Sequence, residues 1–214
     1  MRGGTGASGC ADLLWEYGDN AALASRAKQF CALATEHGFS VWRAQGTMYR
    51  GLAQVTAGDV ADGMELLRAG FADYRANASE AETSAYKVLL AKACAIAGQI
   101  EEALAMLDNA MPVLEQAGEA RYAAEMRRHK GQLLLRHGYS EAVENMYREA
   151  LSIARAQEAK LWELRAAVSF ARLRRDHGPH AEARDLLAEV YGWFTEGLDA
   201  PDLQEAKTLL IELM

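Results

Sequence analysis

The chain has 214 residues, of which 50% are hydrophobic and 25% are charged, so its composition is that of a globular protein. Its formal net charge of −7 argues against a nucleic-acid-binding protein, which would need a basic surface. The sequence contains no run of about 18 apolar residues, the length that a membrane-spanning helix needs. The first residues also lack the apolar segment of a secretory signal. We therefore expect a cytoplasmic protein that binds neither nucleic acid nor membrane.

Glycines that recur every 40 residues separate the predicted helices along the chain. They are Gly18, Gly58, Gly98, Gly138 and Gly178. Each glycine suits the left-handed position that follows a helix. Apolar residues spaced by three and four predict helices over residues 10–17, 20–36, 41–57, 60–76, 80–97, 100–116, 120–137, 141–156, 160–177, 180–195 and 202–213.

Small and bulky residues also recur at fixed distances from these glycines. Small residues that would let two helices approach closely lie seven residues before four of the glycines, at Gly51, Ala91, Gly131 and Ala171. Bulky residues lie nine positions after four of them, at Leu67, Leu107, Tyr147 and Leu187. This order resembles the tetratricopeptide repeat. The resemblance implies an all-α fold, a right-handed α-solenoid of tetratricopeptide-like antiparallel helix hairpins with a C-terminal capping helix.

The same pattern predicts how the chain is divided. Residues 1–9 are rich in Gly and Ser without a period, and we expect a disordered tail there. Residues 10–198 are predicted to form the repeat array, with about five hairpins of which the first is truncated. Residues 199–214 are predicted to form the capping helix, because the last repeat of a solenoid must be covered.

A second resemblance is carried by residues 159–210, above all by KLWELRAA (160–167) and VYGWFTEG (190–197). This stretch resembles the C-terminal region of bacterial multidomain regulators. In these proteins a class III adenylate/guanylate cyclase or a winged-helix module precedes an AAA-like ATPase, and a long tetratricopeptide region follows. Residues 37–51 and 129–135 resemble the same region. Neither the paired metal-binding aspartates of the cyclase nor the phosphate loop of the ATPase has a counterpart here. The resemblance therefore implies the helical sensor arm alone.

The sequence predicts no enzymatic activity, no metal site and no cofactor. Three histidines precede a glycine at the end of a predicted helix, where the helix dipole favours a positive charge: His37, His137 and His177. His177 and His180 flank a Gly-Pro turn, which makes a metal pair there a poor interpretation. Three cysteines lack any CxxC spacing and are predicted to be buried thiols: Cys10, Cys31 and Cys94.

Aromatic residues are predicted to serve packing rather than ligand stacking. Trp42, Tyr122 and Trp162 each lie sixteen residues before a repeat glycine. They therefore share one position, near the start of the first helix in three of the hairpins. Trp193 and Phe194 end the last full hairpin, and we expect them to pack under the capping helix.

The tetratricopeptide resemblance implies a concave groove lined by the first helix of each hairpin. Transferring the groove positions by their distance from the glycines gives Met48, Leu52, Lys92, Arg128, Gln132, Arg136, Arg165, Arg172 and Arg175. Such a groove would run from apolar to basic and would suit an acidic peptide or a phosphate-bearing ligand. The alternative is that the arginines pair with nearby acids such as Glu125, Glu163 and Asp176.

These observations favour a non-enzymatic module that binds a peptide or a partner domain in its groove. The alternative is a ligand-sensing arm of a signalling ATPase or adenylate cyclase system, with that module as a partner. Both interpretations place the function on a surface rather than in a catalytic centre.

Overall fold

The computed structural model describes residues 20–78, 80–116, 122–136, 138, 141–178 and 181–214. Within these ranges the chain forms α-helices and no strand, as predicted. The helices are α1 (Asn20–Glu36), α2 (Ser40–Ala57), α3 (Val60–Arg75), α4 (Glu80–Ile96), α5 (Ile100–Gln116), α6 (Ala123–Leu135), α7 (Glu141–Ala156), α8 (Lys160–His177), α9 (Ala181–Gly192) and α10 (Pro201–Glu212).

Each of these helices begins and ends within three residues of its predicted bounds. The predicted tail, the predicted helix 10–17 and the side chains of Cys10, His137 and His180 lie outside the described residues. None of the described helices is long and apolar enough to cross a membrane. The described residues also contain no cluster of acidic, histidine and cysteine side chains that could hold a metal ion.

The chain divides into two compact units, residues 1–117 and 118–214. In the first unit α2 packs against α1 and α3, α4 packs against α5, and α4 also contacts α2 and α3. In the second unit α6 packs against α7, α8 packs against α7 and α9, and α8 also contacts α6 and α10. In both units, therefore, a helix packs with its hairpin partner and with a helix of the next hairpin, as the repeat requires.

Small residues allow the closest of these contacts, between α2 and α3. A Cβ atom built on Gly51 would lie 2.5 Å from the backbone nitrogen of Leu67, and one on Gly63 would lie 2.7 Å from that of Val55. A Cβ on Gly70 would lie 2.9 Å from the backbone nitrogen of Met48. Because these atoms belong to helix backbones, a side chain could fit only if the helices separated.

The repeated glycines adopt the predicted left-handed conformation at three places and not at a fourth. Gly58, Gly98 and Gly138 have φ angles of 100°, 79° and 118°. Gly178 instead has φ 179°, so the prediction is wrong there. The next residue in the sequence is Pro179, and a residue before proline is driven to extended backbone by contact with the proline ring.

The helix α10 covers the apolar side of the second unit. Leu203, Ala206, Leu209 and Leu213 are buried in one cluster with residues of α8 and α9. The face of α10 turned away from that cluster is exposed and mostly polar, with Lys207 and also Ile211, which is 59% exposed. This arrangement is the one expected of a capping helix.

Trp193 does not pack under α10 as predicted, since its side chain is 58% exposed. The helix α9 ends at Gly192, so Trp193 lies in the irregular segment that follows. There its ring meets Phe194 edge-on, with centroids 5.1 Å apart, and lies 5.9 Å from the Lys160 ammonium. Phe194 is half-buried and does pack against the cluster that contains α10.

The remaining aromatic and cysteine predictions concern packing. Trp162 is buried against Ala124 and Ala154, and its ring centroid lies 6.0 Å from that of Tyr122. Cys31 and Cys94 are buried, as predicted. Burial raises the pKa of the Cys94 thiol to about 11.

Candidate functional site

The two apolar residues predicted for the groove belong to the core instead. Met48 and Leu52 on α2 are both 0% exposed, so the prediction that they line an accessible surface is wrong. The physical reason is the close approach of α3, whose Gly70 leaves room for the Met48 backbone and Cγ. The distance from the repeat glycines that was used to choose these two residues therefore selects side chains that point into the hairpin core and not towards a partner.

Three polar residues of the predicted groove reach the surface to different degrees. Lys92 on α4 is half-buried and belongs to the first unit. Gln132 on α6 and Arg136, which caps the end of α6, are exposed in the second unit. They remain candidates for contact with a partner.

Arg128 and Arg165 are held in a network of charges around a buried carboxylate. The Arg128 Nε atom donates to Glu125 Oε2 at 2.5 Å, and Arg165 Nη1 donates to Glu125 Oε1 at 3.2 Å. Arg165 also makes a bidentate pair with Asp202, with its Nε and Nη2 atoms at 3.0 and 2.8 Å. The network therefore joins α6, α8 and α10, and it fixes both arginines in structural positions.

The network keeps Glu125 ionised although its side chain is only 4% exposed. Burial acts to raise the pKa of this carboxyl, but the charges of Arg128, His129 and Arg165 outweigh it and lower the pKa to about 2. For Arg165 burial acts to lower the pKa, but the bonds to Asp202 and Glu125 raise it above its ordinary value. Removing one partner from such a buried pair costs about 3–5 kcal/mol.

Arg172 and Arg175 behave differently, because their side chains are 48% and 38% exposed. The Arg172 Nη1 atom lies 2.6 Å from Glu205 Oε1, and Arg175 Nη1 lies 2.5 Å from Glu212 Oε2. Arg175 also pairs through Nε with the adjacent Asp176 at 2.8 Å. Exposed ion pairs of this kind contribute roughly 0–1 kcal/mol each, so these two arginines can exchange partners at low cost.

The two exposed pairs line one groove between α8 and α10, with a volume of about 480 Å³. We call it the α8–α10 groove, and its lining residues are Arg172, Arg175, Glu205, Thr208, Leu209 and Glu212. The Thr208 hydroxyl donates to the backbone carbonyl of Gln204, so its oxygen can accept a further hydrogen bond. The groove therefore offers two guanidinium groups, two carboxylates and a hydroxyl.

The acids of α10 are the feature of the candidate site that the sequence did not lead us to predict. Asp202, Glu205 and Glu212 face the arginines of α8 in the same order along the chain, so the two helices run parallel. The predicted alternative of acid pairing is thus observed for Glu125 and Asp176. Glu163, the third acid predicted, pairs instead with Arg155 and Lys160. The three α10 acids take part in addition. Their spacing by three and seven residues places them on one helix face, which is a signal that the sequence does contain.

A different set of ion pairs joins the second helix of one hairpin to the second helix of the next, and these pairs are a structural feature of the repeat. Arg68 on α3 pairs with Glu102 on α5 at 3.0 Å, and Arg148 on α7 pairs with Glu182 on α9 at 3.3 Å. Both pairs span 34 residues and begin ten residues after a repeat glycine. Two earlier repeats carry Gln45 and Ala85 at the position equivalent to Arg165, so the first arginine of the row between α8 and α10 is not repeated there.

No protein-family model matches this chain, and no curated protein matches it. Among solved structures it is similar to BtubC (BKLC) from P. vanneervenii, with 14% identity, a TM-score of 0.65, and coverage of 94% of this chain and 89% of that one. It is also similar to a kinesin light chain of Podosopora anserina with nearly identical TPR-like repeats. That structure has 17% identity and a TM-score of 0.58, over 90% of this chain and 96% of the other. The chain has a TPR-like repeat fold.

Proposed function

We propose that this chain is a cytoplasmic, non-enzymatic interaction module that binds an acidic segment of a partner protein at the α8–α10 groove. In this proposal residues 10–198 act as the repeat array and residues 199–214 as its cap. Because TPR-like hairpins stack into a scaffold, their function depends on the side chains that they present at the surface.

The observation that carries the proposal is the partial exposure of Arg172 and Arg175 within one groove. A guanidinium group binds a carboxylate through two parallel hydrogen bonds, which gives both strength and orientation. Of the arginines predicted for the groove, Arg128 and Arg165 are committed to the buried network. Arg136 is exposed but does not line the α8–α10 groove, so Arg172 and Arg175 are the arginines that a partner in this groove can recruit.

Binding to an array of peptides that differ in net charge tests this proposal. We expect acidic peptides to bind the native chain and the double variant Arg172→Glu/Arg175→Glu to bind them at least tenfold more weakly. The matched control is Arg26→Glu/Arg184→Glu, which makes the same change in net charge at solvent-accessible residues outside the groove. Arg128→Glu is unsuitable, because it would leave the buried network unbalanced.

Circular dichroism establishes that each variant keeps its helical content before binding is compared. Equal binding by the groove variant and by the native chain would exclude the groove as the docking site. An equal loss in the groove variant and in the control would show that only overall charge matters.

The second candidate function is a ligand-sensing arm that regulates a signalling ATPase or cyclase supplied by another module. The similarity of residues 159–210 to the sensor region of bacterial regulators favours it, and the same residues build α8, α9 and most of α10. Thermal-shift measurements with nucleotides and metabolites test this candidate, since a ligand that binds only the folded chain raises its Tm. The absence of any such shift would count against it.

We also propose that the chain has no catalytic activity of its own. Purified protein should neither hydrolyse ATP nor form cyclic nucleotides above the level of a blank reaction. Activity that persists through purification and is lost on a point variant would contradict this proposal.

A further inference from the structure

We infer that Glu205 and Glu212 of α10 are built-in competitors for the acidic segment that binds Arg172 and Arg175. In the free protein these glutamates occupy the arginines, and a partner binds only when its own carboxylates replace them. This inference rests on the proposed function, because it concerns the regulation of the same groove.

The exposure of the charged groups makes such an exchange feasible at Arg172 and Arg175. Glu205 and Glu212 are themselves 40% and 47% exposed, so water already reaches both members of each pair. In contrast, Arg165 is 14% exposed and Asp202 18%. Breaking the pair of Arg165 and Asp202 would leave poorly hydrated charges, whereas the outer glutamates can turn into solvent.

The helix α10 need not move for the exchange to occur. Leu203, Leu209 and Leu213 anchor it in the core of the second unit, and the bidentate pair of Asp202 with Arg165 holds its first turn. Only the side chains of Glu205 and Glu212 have to change rotamer. The competitors therefore stay attached at a fixed distance and compete at a high effective concentration.

The balance of charge in the groove determines which kind of partner segment gains by binding there. With both glutamates in place, the two arginines are neutralised and a neutral or basic segment gains nothing from entering. An acidic segment with several carboxylates can pair with both arginines at once, as α10 itself does with carboxylates seven residues apart. Neutralising the two glutamates would leave Arg175 paired with Asp176 and would remove Glu205 from Arg172. The groove would then carry a net positive charge and bind an acidic segment more tightly.

Fluorescence anisotropy with labelled hexaglutamate, and with hexaglutamine as the neutral probe, tests the inference. We expect Glu205→Gln/Glu212→Gln to bind hexaglutamate about fivefold more tightly than the native chain, because two weak competing pairs are removed. The gain should shrink at high ionic strength, where exposed charges are screened. Hexaglutamine should bind neither protein detectably.

The matched control is Asp185→Asn/Glu189→Gln on α9, which makes the same change in net charge at exposed residues that do not line the groove. It should leave the affinity for hexaglutamate unchanged. Thermal unfolding of each variant serves as the check on folding, and the exposed position of all four residues predicts little change.

Unchanged or weaker binding by Glu205→Gln/Glu212→Gln would overturn the inference, and so would an equal gain in the α9 control. A third outcome separates the two proposals: Arg172→Glu/Arg175→Glu loses hexaglutamate binding, but Glu205→Gln/Glu212→Gln binds no more tightly than the native chain. The groove would then be the docking site, and the glutamates would not be competitors. If neither the native chain nor the glutamine variant binds hexaglutamate, both the competition and the acidic docking site are wrong.

Discussion

Replacing Glu125 by Gln should destabilise the second unit at neutral pH, and this loss of stability should become smaller as the pH falls. The pKa of the Glu125 carboxyl is lowered from 4.5 to about 2 by Arg128, His129 and Arg165. Since one pKa unit corresponds to about 1.4 kcal/mol, the ionised carboxylate contributes roughly 3 kcal/mol to the free energy of unfolding. Glutamine keeps the shape of the side chain but lacks this charge.

The sign of the pH dependence follows from the direction of the shift. A carboxyl whose pKa is lowered by folding stabilises the folded state above its ordinary value of 4.5. That contribution is lost as the pH falls from 4.5 to about 2. The difference in free energy of unfolding between the native protein and Glu125→Gln should therefore be largest at neutral pH and close to zero at about pH 2.

Urea denaturation at a series of pH values measures this difference, with amide hydrogen exchange in α6 and α8 to locate it in the second unit. Carboxylates outside the network are present in both proteins and cancel in the comparison, whereas Asp202 is coupled to Glu125 through Arg165. Glu189→Gln on α9 is the matched control, since this exposed side chain should change stability by no more than about 0.5 kcal/mol. A difference that stays constant through the acid range, or that is absent at neutral pH, would refute the assignment of Glu125 as an ionised centre of the network.

Two further predictions concern the backbone and use thermal or urea unfolding. Gly51→Ala should destabilise the first unit by about 1–3 kcal/mol, because its Cβ would lie 2.5 Å from the Leu67 backbone, while Gly192→Ala, with no heavy atom within 4 Å, should be neutral or slightly stabilising. A loss no larger than that of the control would mean that α2 and α3 are less closely packed. Glu158→Gly should stabilise the chain by about 0.5–1 kcal/mol, since Glu158 has φ 56°, a left-handed conformation that glycine adopts without a steric cost. Glu158→Ala keeps the strain and should give no gain; a gain with alanine would assign the effect to the side chain.

The sequence predicted the helices well because every signal that it uses is local. Apolar spacing, glycines at the turns and small residues at hairpin contacts all act within one or two helices. The exceptions have local causes that outweigh the period. Pro179 follows Gly178 and keeps it extended, and α9 ends at Gly192, which leaves Trp193 outside the helix and exposed.

The candidate site could be predicted only in part, because it depends on which side of a helix is covered by the next one. The family offset assigned Met48 and Arg172 equally to a groove. Met48 is buried by the close approach of α3, whereas Arg172 stays half-exposed beside α10. Burial of this kind is decided by the distance between helices and not by the residue itself.

The acids of α10 explain why a row of arginines can lie on a surface of this chain without making it basic. Three carboxylates from the capping helix pair with three arginines of α8, one pair partly buried and two exposed. The partly buried pair holds the first turn of the helix, and the exposed pairs leave two guanidinium groups accessible to solvent. A cap that only covered the core would need its apolar face alone. The additional acids offset the charge of the α8 arginines, and in our proposal they determine how much of that charge a partner meets.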